Sequence, residues 1–180
     1  MKKINNLIIV VISVVSYILA LYNLKNKLFV RFLISIAIFP ILLIPKIFRK
    51  KLKISDNLEF MYLIFILFAY FLGSIVNLYD KINHYDTIMH TLSGIFEAYL
   101  AINLINKKNN KLQDIIFILG FVSIISLGWE IFEYISNILL KTDPQKVKLT
   151  GINDTMKDLI VALIGGISFI IFYRRKRVYG

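Results

Sequence analysis

Cysteine is missing from this chain altogether. Its absence excludes disulfides, thiolate metal sites and a cysteine nucleophile, and it leaves the redox compartment unread. Charge is scarce as well. Charged residues make up 18% of the 180 and apolar residues 58%, against about 25% and 45–50% in an ordinary soluble domain. That balance excludes a soluble globule and describes an integral membrane protein. His-x3-His, G-x-S-x-G, a P-loop and G-x-G-x-x-G are absent too, so no familiar local motif assigns a reaction. No internal repeat, low-complexity tract or long linker divides the sequence, which reads as a single membrane domain over residues 1–180. The opening MKKINNLIIVVISVVSYILALY has the basic start of a signal peptide but no small-x-small cleavage site. It reads as an uncleaved first helix.

What the chain has instead is hydrophobic length. A bilayer core of about 30 Å takes about 20 apolar residues per helix. Six stretches qualify, roughly 4–22, 28–45, 59–79, 86–105, 114–139 and 155–173. The expected fold is all-α, a polytopic transmembrane bundle of about six spans. The second span carries Arg31 near one end and Pro40 and Pro45 near the other, which predicts a kinked or short helix. Pro144 and Gly151 mark turns in the polar gap before the last span.

The formal charge of +11 would suggest nucleic acid for a soluble protein. Here the basic residues sit in short gaps between apolar runs, the pattern of topology determinants facing anionic lipid, so no nucleic-acid partner is expected. One set of helix ends holds Lys2, Lys3, Lys46, Arg49, Lys50, Lys51, Lys53, Lys107, Lys108, Lys111, Arg174, Arg175, Lys176 and Arg177. The opposite set holds half as many: Lys25, Lys27, Arg31, Lys81, Lys141, Lys146 and Lys148. This bias predicts that both termini lie in the cytoplasm of a multi-pass protein of the bacterial cytoplasmic membrane.

Ionisable residues inside a membrane are costly and default to functional sites. They are concentrated in the last three spans. In the fourth, Asp86, His90, Ser93 and Glu97 fall at 0, +4, +7 and +11, a single helical stripe. Glu97 would lie about 16 Å deeper than Asp86 at 1.5 Å per residue. Gly94 beside the stripe leaves room for a close neighbour. In the fifth, Glu130, Glu133 and Asn137 share a face, and Trp129 and Tyr134 suit an interfacial aromatic belt. In the sixth, Asp154 and Asp158 are one turn apart beside Thr155, and the face continues through the small residues Ala162 and Gly165. Plainer readings stand beside these. Asp86 and Asp154 suit helix caps, Glu97 suits a hydrogen bond to another helix, and Lys157 suits pairing with a carboxylate or snorkelling.

The topology sets these groups at one height, in the outer half of the bilayer. Asp86, His90, Glu130, Glu133 and Asp158 form a donor set for Mg²⁺, Mn²⁺, Ca²⁺ or Zn²⁺. His90, Glu130, Glu133 and Asp158 also suit acid–base catalysis. His84, Glu97, Asp154 and Thr155 would support them.

The ordered elements YDKINHYDTIMHTLSG, WEIFEY and GINDTMKDLIVALIGG, within residues 79–170, resemble the bacterial YjdF-like integral membrane family. Its recurring pattern falls on His84, Tyr85, Asp86 and His90, then Trp129, Glu130 and Glu133, then Asp154, Thr155, Asp158, Ala162 and Gly165. More distantly, the layout is similar to VanZ-like proteins, although span five lacks E-x3-Q and Ala162 stands where an asparagine is expected. Those resemblances imply a helical membrane fold and no established reaction. The reading the residues favour is an enzyme acting on a lipid-linked or headgroup substrate at the outer leaflet. Its alternatives are a proton- or cation-coupled transporter or channel, and a non-catalytic membrane scaffold.

Overall fold

A computed structural model describes residues 1–105, 111–140 and 151–179. Among the described residues the chain is all helix and turn, with no strand. The helices are α1 (Lys2–Lys25), α2 (Phe29–Ile47), α3 (Asp56–Ile66, continuing as a π-helix over Leu67–Ile75), α4 (Leu78–Lys81), α5 (Tyr85–Leu104), α6 (Lys111–Leu140) and α7 (Asn153–Tyr179). Five of these are long and apolar enough to cross a membrane: α1, α2, α3 with its π extension, α6 and α7. The remaining long helix, α5, has 20 residues, enough to span, but its polar stripe dilutes its hydropathy. About six spans therefore describe the chain. Only 22–33% of each apolar window is buried. The rest, with side chains such as Val10, Phe39, Ile124 and Phe172 exposed, requires lipid rather than water around it. Lys107, Lys108, Lys141, Pro144, Lys146 and Lys148, and the side chains of Arg174, Arg175, Lys176 and Arg177, lie outside the described residues.

The chain forms two compact units, Met1–Tyr85 and Asp86–Gly180. In the first, α1 buries Asn5, Ile9, Ile12, Ser16, Ala20 and Asn23, a stripe at helical spacing. Ile9 and Ile12 pack with Ile38 and Leu42 of α2 and with Leu63, Ile66 and Ile75 of α3 and its extension. The expected shortening of α2 does not occur, since the helix has 19 residues. The helix runs through both Pro40 and Pro45, and at Pro45 a neighbouring side chain explains how. Pro45 has no N–H for the carbonyl of Ile41 four residues earlier, and no water is at hand in hydrocarbon. The Tyr62 hydroxyl donates to that carbonyl instead, at 2.8 Å.

The π-helix shows the same logic. Its wider turns, closed by Val76 N–H to Phe71 O at 3.0 Å, follow an i→i+5 pattern. The Tyr85 hydroxyl donates to the Phe68 carbonyl at 2.9 Å. In the turn between α2 and α3, Arg49 forks to Asp56 Oδ1 at 2.6 Å and to Glu59 Oε2. Glu59 is 1% exposed. This network was not anticipated: Arg49 read as one more topological charge, whereas it neutralises a carboxylate inside the unit.

In the second unit α5, α6 and α7 enclose a core of Ala98, Ala101, Ile118, Val122 and Ile170. Small residues bring α5 against α7. A Cβ built on Gly94 would stand 2.7 Å from the carbonyl carbon of Ala162, and one on Gly165 would stand 3.1 Å from the carbonyl carbon of Thr91. The two backbones therefore touch, as the glycine and alanine pattern predicts.

A candidate metal centre within the second unit

Close approach of α5 and α7 sets the site. Asp86 is the second residue of α5 and Asp154 the second of α7, so each places its charge in a first turn where the helix dipole favours it. Asp154 Oδ1 pairs with Lys157 rather than capping the helix. His84 is the residue before α5, with φ +63°; it is exposed and stands outside the cluster described next.

One turn into α5, His90 Nε2 stands 3.5 Å from Asp86 Oδ1 and 4.0 Å from Asp158 Oδ2 of α7. One ligand atom from each of Asp86, His90 and Asp158 lies within 4.8 Å of the others. Two donors at about 2.1 Å from a tetrahedral ion are about 3.4 Å apart, so the 3.5 Å pair already has ligand spacing and the 4.0 Å pair needs a small closure. Asp158 is 3% exposed and its Oδ1 has no hydrogen bond among the described residues, a costly state for a buried oxygen unless a charge completes it.

The remaining candidates fall around this triad. Glu133 of α6 lies within electrostatic reach of His90, Asp86 and Glu130, and its Oε1 accepts from the Trp129 indole N–H at 2.8 Å. Trp129 and Tyr134 are both exposed. Glu130 is buried and Asn137 half-buried. Glu97 is buried two turns below His90 and accepts from Ser126 Oγ of α6 at 3.5 Å. Thr155 is half-buried beside Asp154. Lys157 pairs with Asp154 Oδ1 at 3.3 Å and approaches Asp158 Oδ1 at 4.0 Å.

Sequence reasoning did not single out Ser126. A serine in an apolar helix is commonplace, and only the burial of Glu97 opposite gives it a role.

A family model for membrane proteins matches residues 4–178, nearly the whole chain. The chain belongs to the family described as predicted membrane protein (DUF2238). That membership agrees with the YjdF-like resemblance and extends it over the first three helices, where no motif was recognised. The likeness to VanZ-like proteins is not among what the comparisons show. An uncharacterized protein of Thermotoga maritima is 30% identical over 112 residues, covering 58% of this chain and 56% of that protein. The match thus spans little more than half the length of that relative. No solved structure matches the chain.

Proposed function

We propose that this protein is a membrane-embedded, metal-dependent enzyme whose cation is held by Asp86, His90 and Asp158. The observation that carries the reading is the convergence of one imidazole and two carboxylates within 4.8 Å, at the junction of two helices. Three protein ligands with further positions open are the pattern of catalytic rather than structural metals. A mixed nitrogen and oxygen donor set suits Mn²⁺ or Zn²⁺ better than Mg²⁺ or Ca²⁺, which prefer oxygen.

Glu133 and Glu130, on the facing helix α6, supply carboxylates for proton transfer beside that ion. With both termini in the cytoplasm of a bacterial inner membrane, the triad opens at the outer leaflet. There it meets lipid headgroups or a lipid-linked substrate.

The test is metal stoichiometry. Detergent-purified protein is expected to bind about one Mn²⁺ or Zn²⁺ per chain by calorimetry and elemental analysis, as a three-ligand site requires. His90→Ala and Asp158→Asn are each expected to lose that binding while purifying at wild-type yield. Wild-type protein that takes up neither ion removes the reading.

A further inference from the structure

The metal reading leaves one cation in the site unexplained. Lys157 is the fifth residue of α7, close to a helix N-terminus where the dipole disfavours positive charge. Its side chain is 44% exposed, yet it does not extend away into solvent. It is drawn to 3.3 Å from Asp154 Oδ1 and 4.0 Å from Asp158 Oδ1. Asp154 is buried, and among the described residues its second oxygen has no hydrogen bond, so this carboxylate meets Lys157 through one atom. Asp158 meets both neighbours: its Oδ2 lies 4.0 Å from His90 Nε2, and its Oδ1 lies 4.0 Å from the ammonium. Lys157 therefore approaches the far oxygen of a carboxylate that belongs to the triad.

We propose that the substrate of this site carries a phosphate group, with one phosphoryl oxygen on the cation and another on Lys157. The inference rests on the metal reading above and adds the substrate class to it. Three protein donors leave a divalent ion short of the four to six ligands it takes. A ligand that joins the ion to the ammonium must present two anionic oxygens a short distance apart. A phosphoryl group does so with up to two negative charges and three acceptor oxygens, whereas a hydroxyl or amine presents one atom. Lysine is a common point-charge ligand for phosphate, and the N-terminus of α7 adds a favourable dipole.

The experiment titrates detergent-purified, Mn²⁺-loaded full-length protein with inorganic phosphate, with dioctanoyl phosphatidic acid in mixed micelles, and with acetate. Mn²⁺-dependent binding of phosphate, of phosphatidic acid or of both, with none of acetate, is the expected result. Binding of the lipid alone identifies a headgroup substrate; binding of both identifies phosphate itself. Lys157→Gln is expected to weaken that binding about tenfold or more, the worth of one charge-assisted hydrogen bond, while Mn²⁺ itself is still bound. Lys157→Arg keeps both the charge and the pairing with Asp154, and it is expected to keep the binding. A protein that binds Mn²⁺ but no phosphate ligand, that binds acetate equally well, or that is indifferent to Lys157→Gln overturns this inference alone. One that takes up neither Mn²⁺ nor Zn²⁺ overturns the metal reading with it.

Discussion

Valine at position 94 is expected to force α5 away from α7 and to abolish cation binding at the same time. The Cβ of any substitution at Gly94 would lie 2.7 Å from the carbonyl carbon of Ala162, 3.0 Å from its Cα and closer still to its oxygen. These are backbone atoms of a packed helix, so no rotamer change relieves the clash. Overpacking costs about 1–3 kcal/mol where side chains can yield, and the cost here should reach the top of that range or exceed it.

Association of helices in lipid depends on close van der Waals contact, so a small separation forfeits much of what holds the pair. The site shares that geometry. Gly94 is one turn beyond His90, and Ala162 is one turn beyond Asp158, so parting the helices opens the 4.0 Å approach of His90 Nε2 to Asp158 Oδ2. Thermal unfolding in detergent and Mn²⁺ calorimetry measure the two losses. Gly120→Ala and Gly128→Ala are the matched controls, because a Cβ at either meets nothing within 4 Å. Both should be neutral or stabilised by about 1 kcal/mol of helix propensity. A Gly94→Val protein with wild-type cation affinity would refute the packing argument.

Loss of Arg49 is expected to have the second large effect, in the first unit. Arg49→Ala leaves Glu59, 1% exposed, with neither carboxylate oxygen bound by a cation, since Oε1 already lacks a hydrogen bond. Removing one partner of a buried ion pair costs about 3–5 kcal/mol. Arg49 itself is 35% exposed, so solvent screening places the expected loss near 3 kcal/mol or below. Arg49→Ala with Glu59→Leu should recover most of it, because no orphaned charge remains. Urea or thermal unfolding of the three proteins in one detergent decides the matter. A single mutant as stable as the double mutant would mean that Glu59 is not isolated by the loss of Arg49.

Much of this architecture was legible because bilayers impose simple rules. The first five apolar stretches coincide with long helices to within about four residues, and the last helix runs on to Tyr179 beyond its stretch. The stripe of Asp86, His90, Ser93 and Glu97 was visible because helical periodicity is local information, and Gly94, Ala162 and Gly165 announced a close crossing by their size. What escaped notice depends on two elements meeting. Arg49 looked like a loop charge because its partner Glu59 belongs to the next helix. Ser126 had no meaning without Glu97 across from it. Asp154 was read as a cap because the start of α7 cannot be placed to one residue from composition. Tyr62, an ordinary aromatic in an apolar run, gave no sign that it completes α2.

That last contact makes the history of the two residues inseparable. Pro45 is tolerable within α2 only while Tyr62 keeps its hydroxyl on the Ile41 carbonyl, and the hydroxyl matters only while position 45 is proline. Tyr62→Phe should therefore cost about 1–3 kcal/mol in the native background, the penalty of one buried unsatisfied carbonyl. In a Pro45→Ala background, where a restored N–H reaches that carbonyl, the same change should cost little. Double-mutant thermal unfolding measures this epistasis. An order of substitution follows from it: the tyrosine hydroxyl can precede the proline at small cost, but the proline cannot comfortably precede the tyrosine.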